Sequence, residues 1–305
     1  MVKNVAQEGS RSKSLTHSFA ITVVPLNVRE IAADTLRIFI SGLLRIALGK
    51  EWRIKHKTYG VLELLHHHFI QDRLRYHIVR YVGDYFAQIK LDGSTWAIIP
   101  RDSLYIIREI LHEQIYDRYY KLTDNDVVID VGAHVGIFTL KAAQEAKLVI
   151  AVEPEPHNYR LLKYNVTMNN ISNAICLNTA LANFNGYIDL YIDRNSLGHS
   201  VVPELRKRFV SKGKIRVKAM KLDSLVKELG LEKVDFIKID VEGAELNVLE
   251  GALETLRSFN PFLSIAAYHY KDEYIEIYRF LKKIGYRCIY ARSFYYPETI
   301  IYCLR

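Results

Sequence analysis

Residues 127–153 read VVIDVGAHVGIFTLKAAQEAKLVIAVE, and no other stretch limits the fold as strongly. Val127, Val128 and Ile129 form a short β-branched run of the kind that fills a buried parallel strand. Asp130 ends it. Gly132 and Gly136 bracket a turn in which the backbone must bend sharply and a ligand can come close. Residues 137–145 have helical composition, 148–152 are a second apolar run, and Glu153 closes that run. The carboxylate falls about 20 residues after the turn, where nucleotide-binding βαβ units set the acidic residue that holds a ribose. The stretch predicts an α/β fold built on a parallel sheet.

The glycine spacing separates two readings. A dinucleotide turn is spelled G-x-G-x-x-G, with the pyrophosphate on the helix N-terminus. Here Ala133, His134 and Val135 stand between Gly132 and Gly136, and the middle glycine is missing. With Asp130 two places before the first glycine, the spelling resembles the first motif of S-adenosylmethionine-dependent methyltransferases of the Rossmann-like class. That resemblance implies that Asp130, Gly132, Ala133, His134 and Gly136 receive the methionine part of the cofactor. It also implies that Glu153 takes both ribose hydroxyls, a role suited to an acceptor-only group.

The 305-residue chain fits one large α/β domain with an appendage. Residues 1–16 are polar and read as loosely attached. Residues 26–60 read mostly as helix, and 61–69 as another. His66, His67 and His68 diverge on a helix and cannot converge on one metal. Residues 76–100 read as a small antiparallel meander, with Asp92-Gly93 as a hairpin signal. Residues 103–122 read as a helix and 123–126 as a turn. These features divide the chain into an N-terminal region, 1–122, and a cofactor-binding domain, 123–305.

Within the second part, helices are expected at 158–169, 223–229, 244–259 and 273–284. Strands are expected at 174–180, 187–192, 214–220, 234–239, 262–268, 287–291 and 299–304, the last two as an antiparallel hairpin. The alternation predicts a mainly parallel sheet covered on both faces.

Ligands of such sheets sit beyond the carboxyl ends of the strands. Those ends nominate Asp130, Glu153, Ala180, Asp240, Glu242, Glu245 and His269. The block Lys238 to Glu245, KIDVEGAE, is the densest. It sets three carboxylates at the start of a helix, where capping alone can account for Glu242 or Glu245.

The ordered series Asp130-Val131-Gly132-Ala133, Glu153-Pro154-Glu155-Pro156, Asn165 and Asn169, Leu222-Asp223-Ser224-Leu225, DFIKIDVEGAE from Asp235, and Leu249-Glu250-Gly251-Ala252 resembles the FkbM family of methyltransferases. The resemblance implies a class I, Rossmann-like methyltransferase fold with S-adenosylmethionine as methyl donor. The implied acceptor is a hydroxyl on a sugar, glycan or small metabolite. Asp240, Glu242 and Glu245 match the family's signature block, with Glu242 and Glu245 expected toward the acceptor. Two positions depart from the family pattern. His134 stands where asparagine is common, and Ala266-Ala267-Tyr268-His269 ends the fifth strand where many members carry glutamate. His269 is therefore the first choice of general base, since its ordinary pKa lies near neutrality, and Asp240 is the second. A divalent cation on Asp240 has no ligand pattern behind it, so no metal is expected.

The net charge is +8, most of it in residues 1–60. A second basic stretch runs from Arg206 to Lys221. Either could meet an anionic group, and both are equally well read as solvated surface. Residues 35–49 are too short to span a bilayer and could rest on a membrane surface. Cys176, Cys288 and Cys303 show no paired spacing, which suggests a reducing compartment. Together with the absence of a signal-like segment, this gives a cytoplasmic expectation. An RNA methyltransferase is the alternative enzyme, disfavoured because the strand ends Asp240-Val241-Glu242-Gly243, not in the block typical of amino-methylating enzymes. A non-catalytic cofactor-binding scaffold is the third reading.

Overall fold

The computed structural model describes residues 79–82, 85–193, 196–202, 213–292 and 299–305. The helices expected at 26–60 and 61–69, the segment 35–49 and residues 203–212 of the basic stretch lie outside these. The described part belongs to one compact unit that extends from Glu63 to Arg305. It begins with the expected meander: β1 (Val79–Val82), β2 (Phe86–Lys90) and β3 (Trp96–Pro100), all antiparallel.

The single helix expected over 103–122 does not form. Arg101–Ser103 makes one 3₁₀ turn, Arg108–His112 one π-helical turn, and Gln114 reverses the chain with φ 51°. Tyrosines explain the departure. Tyr116 packs edge-on to Phe138 at 5.7 Å, Tyr119 meets Tyr302 at 4.8 Å, and Tyr120 meets Phe236 at 5.3 Å. Such aromatic pairs are worth about 0.5–1.5 kcal/mol each beyond area burial, more than the helix propensity they override.

The organising unit follows: β4 (Val127–Val131), α1 (Ile137–Ala142), β5 (Leu148–Val152), α2 (Pro156–Met168) and β6 (Ala174–Leu177). Next, β7 (Ala180–Leu181), β8 (Gly186–Ile192) and β9 (Gly213–Met220) form a separate small sheet in the order β7-β9-β8. The chain returns through α3 (Leu222–Glu228), β10 (Phe236–Ile239), α4 (Glu245–Glu250), α5 (Leu253–Phe259), β11 (Phe262–Ala266), α6 (Glu273–Lys283), β12 (Arg287–Arg292) and β13 (Thr299–Leu304). The main sheet has the order β12-β13-β11-β10-β4-β5-β6. Strands β4, β5, β6, β10 and β11 are parallel, and β13 runs against β11 and β12. This is the class I methyltransferase architecture expected from the sequence.

The strand residues alternate between two cores. Val128, Val149, Ala151 and Phe236 face the core shared with the meander. Ile129, Val131, Ile150, Val152, Ile237 and Ile239 face the core under α3 to α6. The helix expected over 244–259 breaks at Gly251, where a Cβ would stand 2.1 Å from the Ala182 carbonyl oxygen. Asp223 then caps α5 from outside, accepting from the N–H groups of Glu254 (3.0 Å) and Thr255 (2.8 Å). Cys288 and Cys303, unpaired by sequence spacing, are cross-strand neighbours joined by a disulfide, with Cα atoms 4.1 Å apart. Their sequence spacing gives no sign of this pairing, which only the β12–β13 register brings about. On β9, Lys214, Arg216 and Lys218 are exposed, and Lys214 pairs with Asp189.

Two asparagines fasten the meander to α2. Asn165 accepts from the Ile98 N–H (2.7 Å) and donates to the Ile98 (2.9 Å) and Val135 (2.8 Å) carbonyls. Asn169 accepts from the Trp96 N–H (2.8 Å) and donates to the Trp96 carbonyl (2.6 Å). Their amides, one helical turn apart, act as a substitute strand along the edge of β3. Asn165→Ala should therefore lower stability by about 2–3 kcal/mol, because it strands buried backbone groups. Chemical denaturation measures this, and a loss within experimental error would show that the clasp contributes nothing.

Candidate active site

The chain runs from β4 to β5 and β6 on one side, then crosses to β10 and β11 on the other. The switch point lies between β4 and β10, where open α/β sheets form their ligand crevice. A cleft of about 310 Å³ opens there. One wall is the turn after β4, Gly132, Ala133 and His134, with Glu153 from the end of β5. The facing wall is Asp240 and Glu242, after β10.

The turn is shaped by its backbone. Gly132 has φ 75°, His134 φ 53° and Gly136 φ 90°. The N–H groups of Gly132 and Ala133 both donate to the Val152 carbonyl at 3.0 Å, which locks the turn to β5. Glu153 reinforces the lock: one oxygen accepts from the His134 N–H and the other from the Glu155 N–H, both at 2.9 Å. Burial pushes the Glu153 carboxyl up to about 7 despite these bonds. Burial, with the positive charges of His199 and Lys238, lowers His134 to about 3, so its ring is neutral. Its Nε2 lies 3.3 Å from Ser196 Oγ, and its buried Nδ1 has no hydrogen-bond partner among the described residues.

Ala180 also lines the cleft, but Asp130 and Gly136 do not. Asp130 is fully buried beneath the turn. Its Oδ1 pairs with Lys238 Nζ at 3.0 Å, and its Oδ2 accepts from the Thr139 hydroxyl at 2.6 Å. The structure thus places its carboxylate beneath the turn and off the cleft lining, where it anchors the turn from below. Gly136 starts α1, and a Cβ there would press on Leu162 at 2.5 Å. Glu245 is likewise buried out of the cleft, where it accepts from the N–H groups of Val241 (2.9 Å) and Gly243 (3.4 Å). That arrangement shapes the loop after β10.

His269 is placed differently from the free base expected. It is buried among Asp240, Glu242, Glu245 and Glu273, at 3.3–3.8 Å from each. Burial opposes its charge, but Glu245, Glu242 and Asp240 outweigh burial and hold its pKa well above the ordinary value. His269 is therefore set in a cluster with these carboxylates and titrates with them, not as an isolated imidazole. Burial pushes Glu242 up to about 8, partly offset by His269 and reinforced by Asp240, Glu245 and Glu273. Asp240 sits at about 2: burial would raise it, but His269, Lys238 and the Tyr116 hydroxyl favour its anion.

The sequence reading missed Tyr116, Lys238 and Glu273. Tyr116 donates to Asp240 Oδ2 at 2.5 Å from a segment that ends before the βαβ unit begins. Lys238 donates to the Gly132 carbonyl at 2.7 Å and lies over the Tyr116 ring at 5.0 Å. Its signal was present: a lysine inside an otherwise apolar strand needs a buried partner. Across the top of the cleft, Ser196 reaches Asp102, while Ser200 donates to the Glu242 carbonyl at 2.6 Å.

Comparison with known proteins gives this site a family. The methyltransferase FkbM domain matches residues 130–288. The chain belongs to the FkbM methyltransferase family. Methyltransferase sdnD of Sordaria araneosa is 32% identical over 190 residues, which cover 53% of this chain and 73% of that protein. Hexuronic acid methyltransferase AglP of Haloferax volcanii is 27% identical over 176 residues, 57% of this chain and 70% of that one. A solved FkbM methyltransferase from Methylobacillus flagellatus KT superposes with a TM-score of 0.47 at 17% identity, covering 67% of this chain and 55% of its own. This FkbM-type methyltransferase uses S-adenosylmethionine, and the cleft suits it. The Glu153 carboxylate and the neutral His134, whose Nδ1 has no hydrogen-bond partner among the described residues, share one wall of a cleft whose volume is in the small-molecule range. No helix among the described residues is long and apolar enough to cross a membrane.

Proposed function

We propose that this protein methylates a hydroxyl of a sugar, glycan or small metabolite. One observation carries the reading: a single cleft joins the glycine turn and Glu153 on one wall to Asp240 and Glu242 on the other. When bound, S-adenosylmethionine supplies an electrophilic methyl group whose carbon–sulfur bond breaks as the acceptor oxygen attacks. Gly132, Ala133 and His134 hold the methionine end, and Glu153 accepts from the ribose hydroxyls. Asp240 and Glu242 orient the acceptor's hydroxyl, and its proton passes into the Asp240–Glu242–His269 group, which acts as a unit. The hexuronic acid methyltransferase among the relatives supports a sugar-type acceptor.

The test begins with the cofactor wall. S-adenosylhomocysteine is titrated calorimetrically from pH 6 to pH 8. A carboxyl that titrates at about 7 is mostly protonated at pH 6 and mostly ionised at pH 8. Only the anion is acceptor-only at both oxygens, as a diol's two donors require, so affinity should rise about tenfold over this range. Glu153→Gln should bind more weakly and lose the pH dependence. A flat profile in the wild type would remove Glu153 from the ribose. Methyl transfer from labelled S-adenosylmethionine is then assayed on uronic acids, neutral sugars and RNA; transfer to RNA alone would overturn the hydroxyl-metabolite reading.

A further inference from the structure

The two sides of the His269 ring are built differently. Nδ1 faces Glu245 Oε1 at 3.3 Å and Glu273 Oε2 at 3.4 Å, and both side chains are fully buried. Backbone groups pin these two carboxylates: Val241 and Gly243 donate to Glu245, and His269's own N–H donates to Glu273 at 2.7 Å. Their remaining oxygens, Glu245 Oε2 and Glu273 Oε1, are buried and accept no hydrogen bond from any described residue. Nε2 points the other way, to Asp240 Oδ1 at 3.4 Å and Glu242 Oε2 at 3.8 Å. Asp240 and Glu242 line the cleft.

We propose that Asp240, Glu242 and His269 Nε2 bind one divalent cation on the cleft wall, the ion displacing the Nε2 proton to solvent, and that this cation positions the acceptor's hydroxyl. Two carboxylate oxygens and one imidazole are donors for a hard or borderline ion such as Mg²⁺ or Mn²⁺, and no thiolate contributes. Donors about 2.1 Å from one ion stand about 3.0–3.5 Å apart. Here the three groups offer donor atoms within 4.8 Å of one another, with Nε2 3.4 Å from Asp240 Oδ1 and 3.8 Å from Glu242 Oε2, so side-chain rotation that closes the widest gap by about 1–2 Å brings them to one centre. A ligating histidine characteristically turns its other nitrogen to a carboxylate, which fixes the ring; Glu245 and Glu273 occupy that position. Tyr116 takes Asp240 Oδ2 and leaves Oδ1, which accepts no hydrogen bond from the described residues, for the ion.

Charge points the same way. Four carboxylates surround one imidazole, while Lys238, the nearby cation, is committed to Asp130 and the Gly132 carbonyl. Carboxylates crowded this closely cannot all ionise without a counter-charge, and a cation at this place supplies one. The ion's remaining positions open on the cleft, where an acceptor oxygen can enter opposite the glycine turn. The catalytic part of this proposal rests on the methyl-transfer reading; the binding part does not.

The test uses MnCl₂ titrated into the wild-type protein, with free Mn²⁺ read by electron paramagnetic resonance. One Mn²⁺ per chain should bind at submillimolar concentration. Glu242→Gln and His269→Gln should each weaken it at least about tenfold, with melting temperature and S-adenosylhomocysteine binding used to confirm that both variants are folded. No bound Mn²⁺ at millimolar concentration, or binding unchanged in both variants, overturns the site. Undiminished methyl transfer in EDTA removes the cation's role and leaves the methyltransferase reading standing. Failure to bind S-adenosylhomocysteine sinks that reading without altering the Mn²⁺ count.

Discussion

Lys238→Met should destabilise the fold by about 3–5 kcal/mol, the scale of breaking one partner out of a buried ion pair. Lys238 and Asp130 retain 5% and 0% of their side-chain exposure, so water cannot replace the lost ammonium. The variant would leave Asp130 with the Thr139 hydroxyl and no counter-charge, and the Gly132 carbonyl without its donor. Adding Asp130→Asn should recover more than half of the loss, because the stranded charge is then gone. Urea denaturation at constant m-value measures both. If Lys238→Met alone costs under about 1 kcal/mol, the pair does not anchor the turn. If the double variant is no more stable than the single, the bond to Gly132 matters more than the charge. Cofactor affinity should fall with Lys238→Met in either case, since the lysine ties β10 to the cofactor turn.

What the sequence made legible follows from where the information lies. The parallel strands were visible because each is a short β-branched run, and the turn because its glycines and acidic neighbours are local. The final hairpin and the meander were visible for the same reason. The site's electrostatics were not. His269 reads as an ordinary histidine at a strand end; its charge state depends on Asp240, Glu242, Glu245 and Glu273, which only folding brings together. Asp130 looks like a cofactor ligand in sequence, and only the burial of Lys238 beside it shows another task. Tyr116 reaches Asp240 across 124 residues of chain, beyond any spacing argument. Residues 103–122 have helical periodicity, but their tyrosines find aromatic partners on β10, β11 and β13, and tertiary packing overrides local preference.

Gly132→Ala should be strongly damaging, with a loss above about 4 kcal/mol and no measurable binding of S-adenosylhomocysteine. A left-handed φ of 75° alone costs an alanine about 1–2 kcal/mol. The larger effect is steric. The added Cβ would stand 1.7 Å from the Asp240 carbonyl oxygen and 2.8 Å from its carbon. That backbone cannot withdraw cheaply, because Ile239 is in register with Val131 and the Asp240 N–H donates to the Val131 carbonyl at 3.1 Å. Either β10 separates from β4 or the turn changes conformation, and both outcomes dismantle the two walls of the cleft. Gly93→Ala is the control: nothing lies within 4 Å of its Cβ position, and it should melt within experimental error of the wild type. An alanine at 132 that binds the cofactor normally would show that β10 moves freely. The sequence suggests that this glycine makes room for a ligand. The clash partner is instead the protein's own strand end, so the glycine is required by the contact that sets Asp240 opposite the cofactor turn.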